Sequence, residues 1–350
     1  MRYVSRVICR RASALSAILA LTSGLALSAD LHVGPGQEYA TIPAALTAAG
    51  SGDTIKVHPN PGQDYAGNIS VSKAVTIVGW DNGDYADPED VIIDGGHETL
   101  CMELLDTDIH VGCLTLTSGD ATSGGALRVR DASAQIDHCI LSYSTADYGG
   151  ALYVEDATVS VSDCVISGNT ASEGGGIYIK QNVDTENPPP VTITDCTISG
   201  NTASVWGGGI YYENGYYSSA LEISGCTISG NDADGSLASG GGVYCNNYGD
   251  AEGCEVIATN CVLSQNTADL DGGGIGCSVC TIAVDRCRFT ENTAGEYGGA
   301  AHFSSSEFGF TNNLVDANAA GYGAGAGIYG TGSTLTLAKA VRTLFRSLPS

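Results

Sequence analysis

The sequence has few charged residues, and very few of them are basic. Charged residues make up 15% of the 350 positions, with 14 Lys and Arg against 39 Asp and Glu, a formal charge of −25. Such a surface repels nucleic acid and anionic lipid, because both carry negative charge. We therefore expect no nucleic-acid partner. The acidic surface either attracts cations and basic partners or serves only as a solvated coat.

Long apolar runs are missing after the first 30 residues. Four Arg precede an uncharged apolar stretch at 12–27, and Ser28 and Ala29 are small residues suited to cleavage. This order is typical of a secretory signal peptide, with an uncleaved anchor as the alternative. We predict a signal peptide at 1–29, and a mature chain of formal charge −29 without a transmembrane segment. The protein is then exported, either extracellular or associated with the cell surface or outer membrane.

Phenylalanine, tryptophan and proline are also scarce, whereas glycine is abundant. The chain has 5 Phe, 2 Trp and 9 Pro but 48 Gly, and 43% of its residues are hydrophobic. This composition is too apolar for a disordered chain and too rich in glycine for an ordinary helical protein. Short strands joined by many turns are the structure that it favours.

A repeat organises most of the chain. The stretch DCTISGNTASVWGGGIYY at 195–212 recurs in related forms, each with a cysteine that we call the anchor. Around each anchor, apolar residues alternate with polar ones, which predicts strands with one face in a core. The pattern predicts a right-handed parallel β-helix with three short strands per turn and about 25 residues per basic turn. The anchor positions are Cys139, Cys164, Cys196, Cys226, Cys261, Cys287 and then Asn313.

An asparagine lies five residues after each anchor. We expect it to adopt left-handed backbone at a corner and to hydrogen-bond to its equivalents in neighbouring turns. Glycines before the third strand allow a second, tight corner. This structural ladder consists of Asn169, Asn201, Asn231, Asn266, Asn292 and Asn318.

The ends of a solenoid need covers, because their apolar edges are otherwise exposed. Residues 41–49 predict a short capping helix with Thr41 as its N-cap. The chain then divides into the signal peptide, an N-terminal cap with the first turns at 30–100, β-helix repeats at 101–333, and a C-terminal cap or tail at 334–350.

The order of these segments resembles the pectin lyase-like superfamily of right-handed β-helices. The opening YATIPAALTAAGSGDTIKVHP is similar to that of many secreted members. The GGAL and GGGI runs and the FTEN stretch at 289–292 resemble the GGAI and FxxN repeats of chlamydial polymorphic outer membrane proteins, which are adhesins. The resemblance implies a non-catalytic, adhesin-like surface or envelope module that binds a polysaccharide or a cell-surface protein. The alternative is a polysaccharide lyase, glycoside hydrolase or epimerase acting on an acidic polysaccharide.

No convincing catalytic set appears in the sequence, so we assign no catalytic residue. Adjacent-turn Asp163 and Asp195 are typical of bends, and His97 and His138 have no evident partner. The most enzyme-like group consists of Asp131, Glu155 and Asp156 with Arg128 and Arg130. The DADG run at 232–235 and the DLDG run at 269–272 are at most weak surface calcium sites. We expect no cofactor and no dedicated metal site.

An outward column of aromatic residues lies four positions after the first glycine of successive turns. Aromatic rings suit sugar stacking or a protein interface, although tyrosines also stack on one another in strands. We identify the column as a candidate ligand-binding surface. Its members are Tyr153, Tyr178, Tyr211, Tyr244 and Tyr329.

Four further cysteines are candidates for disulfides, whereas the anchors face inward and should remain reduced. They are Cys245, Cys254, Cys277 and Cys280. One arrangement joins Cys245 to Cys254 and Cys277 to Cys280; the other joins Cys245 to Cys277 and Cys254 to Cys280. The first is favoured because it closes short loops. A four-cysteine zinc site is the rival interpretation.

Overall fold

The computed structural model describes residues 28–181, 190–215, 220–248, 254–321, 325–338 and 342–344. Residues 1–27 of the predicted signal peptide and much of the predicted C-terminal tail lie outside this part. The described chain forms a parallel β-helix, in which each strand pairs with its equivalents in the turns before and after it.

Each full turn contributes to four sheets, numbered here in the order in which the chain visits them. Sheet 1 precedes the anchor, sheet 2 follows it, sheet 3 follows the asparagine and sheet 4 follows the glycines. Asp84–Tyr85 is antiparallel to its neighbour, and the other pairings among the described strands are parallel. Sheet 1 comprises Asp30–Val33, Thr54–Val57, Thr76–Asp81, Asp84–Tyr85, Asp108–Gly112, Ser133–Asp137, Thr158–Ser162, Val191–Thr194, Ala220–Ser224, Cys254–Thr259, Cys280–Asp285, Glu307–Thr311 and Thr334–Ala338.

The other sheets are built in the same way. Sheet 2 comprises Tyr65–Ala66, Ile92–Asp94, Thr115–Thr117, Ile140–Ser142, Val165–Ser167, Thr197–Ser199, Thr227–Ser229, Val262–Ser264, Arg288–Thr290, Leu314–Asp316 and Arg342–Leu344. Sheet 3 comprises Asp120–Ser123, Thr145–Tyr148, Thr170–Glu173, Thr202–Trp206, Asp232–Ala233, Thr267–Ala268, Thr293–Ala294 and Ala319–Ala320. Sheet 4 comprises Ile69–Val71, Met102–Leu105, Leu127–Arg130, Leu152–Glu155, Ile177–Gln181, Ile210–Asn214, Val243–Asn247, Ile275–Ser278, Ala301–Ser304 and Ile328–Thr331.

The number of strands per turn differs from the prediction. The alternation predicts three strands, and the structure adds a fourth in sheet 3, between the asparagine and the glycines. In the later turns this strand has two residues, as in Thr267–Ala268. Two residues contain too little alternation to give a periodic signal, so the pattern could not reveal this sheet.

The inward columns form one continuous apolar core. Ile136, Val161 and Ile193 are register neighbours in sheet 1 and are at most 1% exposed. Burial of such a side chain contributes roughly 1.5–3 kcal/mol. The three-residue step into each anchor has a simple cause: the preceding residue is left-handed, as at Asp163 and Asp195, both with φ 53°. These two aspartates are therefore bend residues.

The asparagine ladder runs through the inside of the coil. Asn201 Nδ2 donates to Asn231 Oδ1 at 2.9 Å and to the Ile166 carbonyl at 3.0 Å. The same amide pairing continues along the ladder from Asn169 to Asn318.

The prediction of left-handed asparagines is wrong. Positive φ falls on the residue before, as at Gly200 with 62°, and the ladder asparagines lack it. The ladder position therefore requires a buried amide that can donate and accept between turns, because unpaired polar groups in this core would be costly.

The anchor cysteines are buried free thiols in the structure. They are also hydrogen-bond acceptors: Cys139 N–H donates to Cys164 Sγ at 3.4 Å, and Cys164 N–H donates to Cys196 Sγ at 3.5 Å. In the turn after that of Cys287, Asn313 Oδ1 accepts the N–H of Cys287 at 2.6 Å. The anchor position therefore selects a small side chain that also accepts a backbone N–H from the preceding turn.

The favoured disulfide arrangement is wrong. Cys254 is bonded to Cys280, its register neighbour one turn away, with a Cα–Cα distance of 4.7 Å. Cys245 and Cys277 are buried free thiols in sheet 4. The reason is geometric: equivalent positions in adjacent turns lie about 4.8 Å apart, whereas Cys245 and Cys254 belong to different sheets.

The N-terminal cap is the helix Ile42–Ala48. Thr41 Oγ1 accepts the Ala44 N–H at 3.3 Å, and Ile42, Ala45 and Leu46 are buried against the first turns. Pro88–Asp90 forms a short 3-10 helix. Within the described ranges no helix has the length and apolarity needed to cross a bilayer.

Candidate functional site

Three outward columns meet beside the glycine corner that joins sheets 3 and 4. They lie one residue before the first glycine, four after it and six after it. At Gly174 the corner is left-handed (φ 65°), and a Cβ atom there would lie 2.4 Å from the Ile177 carbonyl oxygen. Glycine therefore lets the columns approach each other closely. From the turn of Gly149 to that of Gly207 the columns hold Tyr148, Tyr153, Glu155; Glu173, Tyr178, Lys180; and Trp206, Tyr211, Glu213.

The tyrosines of the middle column lie outside the main core and pack together in a separate cluster. Tyr153, Tyr178 and Tyr211 are 7%, 3% and 0% exposed, because their rings cover one another and Trp206 packs against them. Tyr153 and Tyr178 stack at 5.4 Å between ring centroids. The column is therefore a buried aromatic stack, and only its margin offers a surface to a ligand.

The fifth predicted tyrosine is not part of this stack. The column is interrupted at Gly276, where a Cβ atom would lie 2.8 Å from the ring of Tyr244. Tyr329 instead stacks on Tyr297 at 4.6 Å, and His302 lies 5.8 Å from it. The structure thus brings four of the five predicted tyrosines together and places Tyr329 in a second aromatic group.

A cleft of about 420 Å³ opens at the margin of the stack. Its volume falls within the range of small-molecule sites, roughly 300–1,000 Å³. The rings differ in orientation, since Tyr148 is at 71° to Tyr178. The lining side chains are five aromatic rings, Tyr148, Tyr153, Tyr178, Trp206 and Tyr248, and three charged groups, Glu173, Lys180 and Glu213.

The charged groups of the cleft interact with one another and with the tyrosines. Lys180 Nζ lies 3.9 Å from Glu213 Oε1, and the Tyr178 hydroxyl donates to Glu213 Oε2. Burial raises the pKa of Glu173, and the negative charge of Glu213 raises it further, against the opposing charge of Lys180. Burial and the bond to Glu213 raise the pKa of Tyr178, so its phenol remains a donor. The cleft therefore combines ring faces with carboxylate acceptors.

The lining residues other than the tyrosine column were not found from the sequence, although a signal was present. Glu173 and Trp206 are register partners, and so are Lys180 and Glu213. Each pair occupies one aligned column, but the two residues of a pair differ in chemistry. A comparison that looks for columns of identical or similar residues therefore does not detect them. Counting positions from the glycines would have revealed them.

The group around Arg128 and Arg130 has a different arrangement from the one expected. Both guanidinium groups pair with Glu103 of the preceding turn, at 2.7 and 3.0 Å. Asp131 and Asp156 are left-handed bend residues, with φ of 51° and 50°. The two arginines of this group therefore form ion pairs between turns, and its two aspartates are corner residues.

His138 is not a lone histidine, contrary to the expectation. Its Nδ1 donates to Asp137 Oδ2 at 2.9 Å, and His110 Nε2 donates to Asp137 Oδ1. Burial alone would raise the pKa of Asp137, but the hydrogen bonds to the two imidazoles outweigh this effect and lower the pKa. His110 also borders a second hollow of about 440 Å³ on sheet 1. His97 is an exposed residue with φ 56°.

The two acidic runs approach each other in neighbouring turns. Burial raises the pKa of Asp232, and the nearby charges of Asp234 and Asp269 add to the effect. Asp269 Oδ2 accepts the Gly235 N–H at 3.1 Å. In the part of the chain that the structure describes, no group of three or more His, Cys, Asp or Glu is arranged to hold a metal ion.

Comparison with known proteins supports the fold. The family described as "Right handed beta helix region" matches residues 91–251. The structure is similar to pectate lyase Pel9A, with a TM-score of 0.51 and 13% identity over 91% of this chain and 80% of that one. It is also similar to ORF18 of Geobacillus virus E2, with a TM-score of 0.49 and 13% identity over 87% of this chain. This chain spans 57% of the length of the viral protein.

A pectin methylesterase from Aspergillus niger is a further similar structure, with a TM-score of 0.45 and 18% identity over 75% of this chain and 86% of that one. No curated protein is significantly similar to this chain in sequence. The family match and the similarity to Pel9A thus agree with the right-handed parallel β-helix fold. At these identities the likeness concerns the fold alone, so function has to be argued from the site.

Proposed function

We propose that this protein is an exported, non-catalytic interaction module and that the aromatic cleft is its saccharide-binding site. The observation that carries the proposal is the cleft itself, where five rings and three charged groups line about 420 Å³. Ring faces stack on the apolar face of a sugar, and carboxylates accept hydrogen bonds from its hydroxyl groups. The partner is then a polysaccharide or the glycan of a cell-surface protein.

The cleft rings that line the opening are the ones to test. Tyr211 is fully buried, so its removal would disturb packing as well as binding. Tyr148 is 39% exposed, and Trp206 is partly exposed at the opposite side of the stack. Tyr148→Ala combined with Trp206→Ala should leave the coil folded, because both residues lie outside the main core.

Isothermal titration with short neutral, amino and acidic oligosaccharides measures binding by the wild-type protein and this double variant. We expect the variant to lose at least about tenfold in affinity, equivalent to about 1.4 kcal/mol. Tyr143→Ser is the matched control, because Tyr143 is 67% exposed and does not line the cleft. Absence of binding to every oligosaccharide, or equal binding by wild type and double variant, would contradict the proposal.

A second candidate function, glycoside hydrolysis, is favoured by one observation. Burial and the nearby charge of Glu213 raise the pKa of Glu173, and Glu213 itself accepts a hydrogen bond from the Tyr178 hydroxyl. Two carboxyl groups in different environments are the pattern of an acid paired with a base or nucleophile. Release of reducing ends from the same oligosaccharides, abolished by Glu173→Gln and Glu213→Gln, would replace the non-catalytic proposal by this one.

A further inference from the structure

The charges around the cleft are unbalanced in favour of carboxylates. Lys180 is the one basic side chain among the lining residues, and its register neighbours in sheet 4 are Glu155 on one side and Glu213 on the other. Its charge is therefore already compensated. Glu173 adds a further carboxylate at the same opening.

The hydrogen-bonding groups show the same bias. The hydroxyl of Tyr178 donates to Glu213, and that of Tyr153 is hydrogen-bonded to Glu155. Both phenols thus use their protons within the protein. An ionised carboxylate accepts several hydrogen bonds and donates none. The cleft consequently offers a ligand the carboxylate oxygens of Glu173 and Glu213 as acceptors, whereas two of its four phenol protons are already engaged.

The aromatic lining adds attraction for positive charge. Ring faces of Trp and Tyr attract a cation by about 0.5–1 kcal/mol at exposed sites and about 2 kcal/mol or more when water is excluded. Here Tyr148 and Trp206 lie beside Glu173, which occupies the equivalent position in the turn between theirs. Rings and a carboxylate around one opening are chemically suited to an ammonium group.

We infer that the cleft selects a saccharide with a free, protonated amino group, such as an oligomer of a 2-amino-2-deoxy sugar. This inference rests on the proposed function and names its ligand class. The ammonium group lies between Glu173 and the ring faces, and the pyranose stacks beside it. A uronate is disfavoured, since its carboxylate would approach Glu173 and Glu213 on a chain of formal charge −25.

The test compares three short oligosaccharides at about 0.15 M salt. Glucosamine and N-acetylglucosamine oligomers share a backbone and differ in the charged amine, and oligogalacturonate carries the opposite charge. We expect the glucosamine oligomer to bind at least about tenfold more tightly than its acetylated form. Glu173→Gln should remove most of that difference, because it weakens binding of the glucosamine oligomer far more than binding of the acetylated one.

The control variant is Glu222→Gln, an exposed carboxylate on sheet 1. An equal loss in both variants would show non-specific attraction to an acidic surface and would overturn the inference. Tighter binding of oligogalacturonate, or equal binding of the two glucosamine forms, would overturn it while leaving saccharide binding intact. If none of the three oligosaccharides binds, the proposed function itself fails.

Affinity for the amine should also depend on pH in a defined direction. Burial and the charge of Glu213 raise the pKa of Glu173. Protonation of Glu173 removes the charge that attracts the ammonium, so affinity falls as pH decreases through this pKa. It falls again when the sugar amine loses its proton at higher pH. Glu173→Gln should abolish the acidic limb and flatten the basic one, because the ammonium group then lacks its charged partner; an unchanged acidic limb would exclude Glu173 from the site.

Discussion

Single residues in this protein are specified mainly by hydrogen bonds between turns. The Asn201 amide is fully buried and pairs with the amides of Asn169 and Asn231. The anchor cysteines likewise form hydrogen bonds across turns: Cys164 N–H donates to Cys196 Sγ, and Cys164 Sγ donates to the Ile136 carbonyl. The most regular positions of the repeat are thus structural, and the chemically varied positions beside the glycines form the cleft.

Removal of one ladder amide should be strongly destabilising. Asn201→Ala leaves the Ile166 carbonyl without its side-chain donor, and it leaves the N–H and Nδ2 of Asn169 without their acceptor. Unsatisfied buried groups cost about 1–3 kcal/mol each, so we expect a loss of about 2–4 kcal/mol in the free energy of unfolding. Urea unfolding followed by circular dichroism measures it. Asn246→Ala, in an outward position of sheet 4, is the control, and an equal effect in both variants would contradict this role.

The pair of histidines around Asp137 gives a pH-dependent contribution to stability. The pKa of Asp137 is lowered in the folded protein from its ordinary value of 3.8. A lowered carboxyl pKa stabilises the fold above the ordinary value, and this contribution disappears as pH falls through the folded value. Asp137→Asn should therefore cost about 1–3 kcal/mol near neutral pH and progressively less below about pH 4.

Chemical unfolding at several pH values compares wild type with Asp137→Asn. The control is Asp163→Asn, at a left-handed bend that asparagine tolerates equally well. A difference between wild type and Asp137→Asn that stays constant down to acidic pH would show that ionisation of Asp137 does not contribute.

Individual strands and turns are positioned by register rather than by local sequence. The Cys254–Cys280 bond joins equivalent positions of two turns, 26 residues apart in sequence. Loop-closing arguments based on short sequence distance favour the wrong partners, because in a parallel coil the nearest neighbour in space is about one full turn away.

Non-reducing peptide mapping should show this pairing directly. We expect a linked peptide pair containing Cys254 and Cys280, with Cys245 and Cys277 alkylated only after unfolding, because both are buried. Closing a loop of this length stabilises by about 3 kcal/mol, so Cys280→Ser should unfold at lower denaturant concentration. A peptide linking Cys245 to Cys254 would contradict the register.

The fold could be predicted from the sequence because its columns are uniform. Aliphatic residues stack on aliphatic residues, and the capping helix has an N-cap threonine and a proline in its first turn. Sheet 3 was missed because half of its described strands have only two residues, which is too few to show alternation. The cleft was only half found: Tyr153 and Tyr178 repeat, but Glu173, Lys180 and Trp206 do not, and register is needed to bring unlike residues together.

The whole molecule is a long acidic coil whose charges have few opposite partners. Asp and Glu exceed Lys and Arg by 39 to 14. Among the described residues, several of the ion pairs, such as those of Glu103, join neighbouring turns. Repulsion between unpaired carboxylates of stacked turns opposes compaction along the axis.

Salt should therefore stabilise the protein. Raising the ionic strength from about 0.01 M to about 1 M shortens the screening length from about 30 Å to about 3 Å. We expect the midpoint of thermal unfolding to rise with sodium chloride, and calcium to add only a modest increment beyond an equal ionic strength. A fall in the midpoint with salt would show that attractive ion pairs dominate, and a calcium shift of tens of degrees would reveal a dedicated site.

The buried anchor thiols can report how often each turn of the coil opens locally. Each repeat turn from Cys139 to Cys287 contains an anchor thiol at a known height, and each is shielded while its turn is closed. A thiol reagent reaches such a group only when the turn that covers it separates from its neighbour. The labelling rate of each anchor, read by mass spectrometry, therefore gives the opening free energy turn by turn. Comparison of these rates with and without a bound glycan would show how many turns along the axis have a higher opening free energy when the cleft is occupied.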